Sequence, residues 1–404
     1  MHTLLQINTV CNSGSTGRIA EEIGLLAMQN GWKSYIAYGR GNPVSQSVVY
    51  KICGNWDLYF NAAIARIYDN DGFCRKGATE RLIKYIQKVN PDVIHLHNLH
   101  GYYLNLRLLF TYLFDANIHI VWTLHDCWAF TGHCTHFEYV ECIHWQLECY
   151  NCREKGNYPA SVLLDRSRIN FRIKKKIITK LQKLVIVTPS QWLAKLTQLS
   201  LLKDYPVHII NNGIDLKSFY PRETINLAQK YGIVGKNIVL GVAGNWTERK
   251  GLRCLVELSF RLGNDYKVIV VGVTRKQMQQ LPSSVIGIQH TEGIAELSIL
   301  YSLADVYVNP TLEDTFPTTN IEAIACGTPV ITYRTGGSPE AIDEKTGMVV
   351  EQGDIDGVIK AVETIIKKGK SFYFANCRKR AEERFDKDKQ FRKYFELYRS
   401  VLKK

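Results

Sequence analysis

A chain of 404 residues is too long for one ordinary hydrophobic core and suits two domains of about 150–200 residues. Its 46% apolar and 22% charged residues exclude a disordered chain, and no run approaches the roughly 20 apolar residues of a membrane span. The net charge of +13 favours acidic partners: phosphorylated substrates, anionic lipid headgroups or nucleic acid.

The opening MHTLLQINTVCNSGSTGR has no basic segment ahead of an apolar run. It reads as the first strand of a fold rather than a secretory signal, and a cytoplasmic location is expected. Behind LLQIN, the stretch SGSTGR places Gly14, Gly17 and Arg18 where a backbone can approach a phosphate or sugar closely. Its spacing fits neither the dinucleotide nor the Walker pattern. YDNDG at 68–72 contains Asp69-x-Asp71, but it does not end an apolar strand and reads as a turn, so no Mg²⁺ or Mn²⁺ requirement is expected. VIHLHNLH puts His95 and His97 on one strand face, and IVWTLH ends in His125.

The next segment, CWAFTGHCTHFEYVECIHWQLECYNC, holds five of the eleven cysteines. Cys134, Cys142, Cys149 and Cys152 end in a C-x₂-C pair and could bind a structural zinc that pins a long loop. The other six are scattered without framework spacing, so a disulfide scaffold is not expected. DRSRINFRIKKKIITKLQKL (165–184) reads as a basic helix with Ile169, Ile173, Ile177, Ile178 and Leu181 at helical spacing. Either one face sits in the core, or the helix rests on an anionic membrane through charges such as Lys174–Lys176.

LVIVTPS and VHIINNG complete a first series of strands, and the Asn-, Gly- and Pro-rich stretch at 211–224 reads as a joint. A second series follows: NIVLGVAG, KVIVVG, ADVYVNP, TPVITY and a last strand near 347–350. Strands alternating with helices imply parallel sheets covered on both faces. In such sheets ligands sit beyond the carboxyl ends of the strands. At those ends stand GNWTERKG, with Arg249 and Lys250, and the loop LEDTFPTTNIEAIACG. Two cations at a strand–helix turn suit a diphosphate. The amides of a helix start suit an anion, and Glu322 one turn inside could accept the hydroxyls of a ribose.

Together these pieces resemble the retaining GT-B glycosyltransferases of family 4 (group 1), of bacterial surface-polysaccharide type, over nearly the whole chain. NNGID resembles the family's interdomain segment, TERKG its diphosphate turn, and YRTGGSPEAIDEKTGMVV its following glycine segments. ELSILYSLADVYVNPTLEDTFPTTNIEAIACGTPVI resembles the long donor signature, with two acids flanking seven residues. The resemblance implies two Rossmann-like α/β domains facing each other across a cleft. The expected bounds are 1–212 for the acceptor side, 213–222 for the linker and 223–385 for the donor domain, with 386–404 a terminal helix crossing back.

The same resemblance implies that Glu322 binds the nucleotide ribose, Lys250 the diphosphate, and Thr315, Phe316, Pro317, Thr318, Thr319 and Asn320 the donor sugar and phosphate. His125 would face the sugar, and His97, Asn98 and Tyr102 would lie on the acceptor side. Three positions depart from the family pattern. The first acid falls on Asp314 with Glu313 beside it, Gly-Phe-Gly is Thr315-Phe316-Pro317, and the usual arginine falls on Asn245, leaving Arg249 or Arg18 to supply its charge.

The implied reaction moves a hexosyl-type sugar from a nucleotide-diphosphate sugar, UDP- or GDP-linked, to a hydroxyl of a glycan or lipid-linked acceptor, with retention and no catalytic cofactor. Two alternatives are a zinc hydrolase built on His95 and His97, and a silent nucleotide-sugar-binding protein of the same fold. No nucleic-acid module is recognisable. Peripheral contact with the inner face of a membrane is expected.

Overall fold

The computed structural model describes residues 1–403, which divide into two compact units. The first comprises Met1–Asn211 together with the segment from Phe391 onward, and the second Asn212–Gln390.

The first unit runs β1 (Thr3–Asn8), α1 (Gly14–Gln29), β2 (Lys33–Tyr38), β3 (Val48–Lys51), α2 (Asn55–Tyr68), α3 (Lys76–Val89), β4 (Val93–Leu96), α4 (Leu106–Ala116), β5 (His119–Thr123), α5 (Ser167–Ile178), β6 (Leu184–Thr188), α6 (Gln191–Leu199) and β7 (Val207–Ile209). Its sheet is parallel in the order β3-β2-β1-β4-β5-β6-β7. The pleat sends successive side chains to opposite faces. Leu5, Ile7, Ile94, Leu96 and Trp122 therefore join one buried cluster, while Leu4, Val93, Val121 and Val187 join another with Ile19 and Trp32.

The second unit runs α7 (Ile225–Lys230), β8 (Asn237–Val242), α8 (Leu252–Arg261), β9 (Tyr266–Val271), α9 (Arg275–Gln280), β10 (Val285–Ile288), α10 (Ile294–Leu303), β11 (Val306–Asn309), α11 (Thr318–Ala325), β12 (Val330–Tyr333), β13 (Gly347–Val350), α12 (Ile355–Lys368) and α13 (Lys370–Arg384). Its parallel sheet has the order β10-β9-β8-β11-β12-β13. The final helix α14 (Lys387–Leu402) brings Phe391, Tyr394, Phe395 and Tyr398 into the cluster that covers Leu4, Val93 and Val121. In both sheets the order reverses beside the first strand, at β1/β4 and at β8/β11. Such switch points open the crevice where ligands of doubly wound sheets bind.

Three expectations need correction. β3 and β10 were not anticipated from the sequence. Each is a four-residue edge strand with one partner, and in β3 Val48 and Val49 remain exposed, so neither shows a long apolar run. The basic segment 165–184 forms α5 only over Ser167–Ile178, and its inward face is Ser167, Asn170, Phe171, Lys174 and Ile178, so of its isoleucines only Ile178 is fully buried. Ile169 is exposed, whereas Lys174 is 1% exposed and unavailable to any surface. Its Nζ donates to Trp128 O at 2.7 Å and Thr131 O at 3.1 Å, and lies 3.3 Å from the centre of the Trp128 ring. The turn at 68–72 is also more than a turn. Asp69 bonds His133 Nδ1 (2.5 Å), and Asp71 accepts from the amides of Gly101 (3.2 Å) and Tyr102 (2.8 Å), so both buried carboxylates hold loops in place.

Candidate functional site

In the second unit the turn after β8 and the loop after β11 are locked together. Gly251, at φ +77°, ends the turn, and a Cβ there would lie 2.2 Å from Pro310 O. Only glycine fits that approach. Leu312 N then donates to Arg249 O at 2.7 Å. A second close contact comes from the other side. Gly336, at φ +53°, leaves room for Asp314 O, which would lie 1.7 Å from a Cβ, and Gly337 N donates to that oxygen at 3.1 Å.

This frame aligns two ion pairs. Arg249 Nη1 meets Glu313 Oε2 at 2.5 Å, and Lys250 Nζ meets Asp314 Oδ2 at 2.7 Å. They differ in access: the side chains of Arg249 and Glu313 are 20% and 2% exposed, those of Lys250 and Asp314 37% and 18%. The inner pair braces the turn. The outer pair presents an ammonium and a carboxylate to solvent.

α11 begins at Thr318 behind Pro317, and Glu322 lies in its second turn. Glu322 is 8% exposed and accepts from Tyr301 OH at 2.9 Å. A phenol donor at that distance fixes one carboxylate oxygen. Asn320 and Phe316 turn inward instead of toward solvent. Asn320 bonds Asn309 Nδ2 at 2.8 Å and Ser338 O at 3.2 Å, and Phe316 packs near Phe385. Both residues are buried. Asn245 is exposed, and its carbonyl accepts from Thr247 N at 3.1 Å.

In the first unit Gly14 opens α1 at φ +62°, Gly17 packs within 3.2 Å of Asn12 N for a would-be Cβ, and exposed Arg18 bonds Gly14 O at 3.1 Å. His125 lies two residues beyond β5 in a shallow crevice also lined by His97, Asn98, His100, Asp126 and Trp128. Hydrogen-bond directions set its tautomer. Gln6 Nε2 donates to Ala20 O (2.7 Å), so Gln6 Oε1 faces His97 Nε2 (3.0 Å) and must accept from it. His97 Nδ1 is then the acceptor of the 3.0 Å bond from His125 Nε2. Gln6 was not foreseen as a member of this relay, because nothing local in LLQIN marks it.

Tyr102 is buried at φ +69°, and Asn98 is half-buried with its carbonyl bonded by Tyr103 OH at 2.7 Å. A larger concavity of about 520 Å³ is lined by His119, Lys183, Leu184 and Tyr205. It lies at the amino ends of β5 and β6, the wrong end for a doubly wound sheet, so we place no chemistry there.

Comparison with known proteins decides the class. The family profile "Glycosyl transferases group 1" matches residues 237–368, and "Glycosyltransferase Family 4" matches residues 64–218. The chain belongs to the group 1, family 4 glycosyltransferases. It is 27% identical over 370 residues to the putative colanic acid biosynthesis glycosyl transferase WcaC of Escherichia coli, covering 87% of this chain and 88% of that protein. It is 28% identical over 211 residues to the capsular polysaccharide biosynthesis glycosyltransferase CapM of Staphylococcus aureus, covering 48% and 54%. Among solved structures, sucrose-phosphate synthase of Thermosynechococcus elongatus aligns with TM-score 0.72 at 16% identity over 99% of both chains. Anabaena HepE in complex with UDP-glucose aligns with TM-score 0.70 at 15% identity over 99% and 100%. The GT-B fold is thus shared.

The hydrolase alternative is overturned by this membership, and the geometry of this glycosyltransferase agrees. His95 bonds Thr123 Oγ1 (2.7 Å) and Tyr398 OH (2.6 Å), while His97 bonds Gln6 and His125, so all four ring nitrogens already face protein groups. Among the described residues no group of three or more His, Cys, Asp or Glu side chains could hold a metal. That includes the cysteine loop. Cys152 and Cys134 share a hydrogen bond, and Gly132 N donates to Cys149 Sγ at 3.2 Å, yet the four thiols do not converge as a ligand set. The rings of Phe130, Phe137 and Trp145 pack in this loop with centres 4.9–6.3 Å apart, beside the bonds from Asp69 and Lys174.

Burial holds the His125 imidazole down at about 4, outweighing the opposing pull of Asp126, and holds His95 and His97 well below the usual range. All three rings are neutral at pH 7. The unfolded chain therefore binds protons near pH 6.5 that the folded chain refuses, and stability is lost as pH falls from 6.5 toward 4. Each imidazole contributes up to about 1.4 kcal/mol per pH unit. His133 works in the opposite sense: although its burial opposes protonation, Asp69 raises its value, so its contribution is lost only as pH rises above 6.5 and stays constant through the window below. We expect the midpoint of thermal unfolding to fall steadily from pH 7 to pH 5, and to fall less steeply in His125→Gln. Equal slopes for the two proteins would refute the account.

Proposed function

We propose that this glycosyltransferase moves a hexosyl-type sugar from a nucleotide-diphosphate sugar to a hydroxyl of a glycan or lipid-linked acceptor in surface-polysaccharide synthesis, retaining anomeric configuration. The carrying observation is the braced β8 turn and β11 loop, with solvent-reaching Lys250 beside Asp314 and a Glu322 fixed by Tyr301. The names of WcaC and CapM favour a polysaccharide product, and the UDP-glucose complex of HepE favours this donor class.

In this reading Lys250, with the amides at the start of α11, stabilises the charge that grows on the departing diphosphate. Glu322 accepts the ribose hydroxyls. Asp314 rather than Glu313 takes the first acidic role, because Glu313 is buried against Arg249. His125, neutral and donating from Nε2 to His97, offers the sugar a hydrogen bond and no charge, so it positions rather than protonates. The acceptor hydroxyl attacks on the leaving-group face and passes its proton to the departing phosphate oxygen.

Thermal unfolding with a panel of UDP- and GDP-hexoses tests the donor. A ligand at a hundred times its Kd stabilises by about 2.7 kcal/mol, which shifts a unit of this size by roughly 5–10 °C. One sugar nucleotide should do so, and Glu322→Ala should abolish the shift. No shift with any donor, or an equal shift in Glu322→Ala, would sink the assignment.

A further inference from the structure

The basic helix α5 is a poor candidate for membrane contact now that Lys174 lies in the core, but a different surface has the required chemistry. α2 turns Asn61 and Ala65 inward, and on its other side exposes Trp56 (88%), Tyr59 (73%), Phe60 (49%) and Ile67 (41%). The spacing 56, 59, 60, 63, 67 places these residues and Ala63 on one face, within about a 100° arc. The loop at 161–164 extends the patch. Val162 N donates to Arg66 O (2.6 Å) and Leu164 N to Ile67 O (3.1 Å), which sets exposed Val162 and Leu163 beside the end of the helix.

Cations edge the patch. Arg66 is exposed on α2, the guanidinium of Arg75 lies 5.0 Å from the centre of the Phe60 ring, and Lys76 follows it. Lys155 Nζ bonds Leu163 O at 3.3 Å. The one acid on α2, Asp57, is near Arg81 at 3.8 Å. Aromatic side chains projecting from a convex helix among arginines and lysines match the interfacial zone of a bilayer. There Trp and Tyr rings sit at headgroup depth and cations meet lipid phosphates. The net charge of +13 adds long-range attraction to the same surface.

We propose that the α2 face, with Trp56, Tyr59 and Phe60 as its inserting side chains, docks this protein on anionic lipid. The purpose of docking, access to a lipid-linked acceptor, rests on the proposed function; the docking itself does not. The test is sedimentation of the full chain with phosphatidylcholine vesicles, with and without phosphatidylglycerol. Three proteins are compared: wild type, Trp56→Ser/Tyr59→Ser/Phe60→Ser, and Lys175→Ser/Lys176→Ser on exposed α5.

Wild type should bind the anionic vesicles and the triple variant at least about tenfold more weakly, with an unchanged unfolding midpoint because these side chains are exposed. The α5 pair should bind nearly as wild type does. The idea is overturned if wild type ignores both vesicles, if the triple variant binds within twofold of wild type, or if only the α5 pair loses binding. It is also overturned if wild type is a dimer that the triple variant breaks, which would make the face a contact between copies. Donor-induced thermal shifts on the same samples separate a failed docking surface from a failed enzyme assignment.

Discussion

Lys250→Ala should lower kcat by about 10²–10³ while leaving the unfolding midpoint within a degree or two of wild type. The two halves of this expectation come from different features. Lys250 stands at the carboxyl end of β8, and its ammonium reaches solvent while held 2.7 Å from Asp314. A partly exposed ion pair contributes at most about 1 kcal/mol to stability, so its loss barely touches the fold. In the proposed reaction, the same ammonium meets charge that develops only as the glycosyl–phosphate bond breaks, and an interaction confined to the transition state appears in kcat. Lys250→Arg keeps the charge on a longer, planar group and should recover part of the rate. Steady-state assay with a soluble acceptor decides: kcat within threefold of wild type in Lys250→Ala would remove Lys250 from the reaction.

Lys174→Ala should cost on the order of 3–5 kcal/mol of stability. Its ammonium is the hydrogen-bond partner of two buried carbonyls, Trp128 O and Thr131 O, and its stem fills space behind the Trp128 ring. Truncation takes this donor from Thr131 O, leaves Trp128 O only a long 3.5 Å bond from Thr131 Oγ1, and opens a cavity. Lys174→Met restores the stem but not the donor and should recover only the packing share. A second signature separates this from generic core damage. Burial lowers the Lys174 value to about 7, so between pH 7 and 10 the unfolded chain holds a proton that the folded chain has released. Wild type should therefore gain stability relative to Lys174→Met as pH rises through that window. A pH-independent difference would mean that Lys174 keeps its proton in the fold.

The elements of the proposed donor region were largely legible because their signals are local. A strand, a turn with two cations, a second strand, a loop with two acids and a helix start appear as contiguous text, and the structure adds the ion pair of Lys250 with Asp314. Tyr301, which fixes Glu322, was not legible. It lies on α10, 21 positions away, within an apolar helix where a tyrosine reads as core. The relay through Gln6 and His97 was hidden for a similar reason, since its members come from β1, the end of β4 and the end of β5.

Two parallel α/β sheets followed from the order of apolar strands, because strand period and turn chemistry are properties of neighbouring residues, and the glycosyltransferase class followed from the resemblance of several motifs to a known family. Only the tertiary structure decided which of three consecutive lysines lies inside. Phe171 and Ile178 turn one face of α5 inward by hydrophobicity, and Lys174 joins them because the carbonyls of Trp128 and Thr131, more than forty residues earlier, offer an ammonium two hydrogen bonds and an aromatic ring. It likewise decided that the exposed apolar face lies on α2 rather than α5. Burial depends on what the rest of the chain packs against a helix, and no window along the sequence contains that partner.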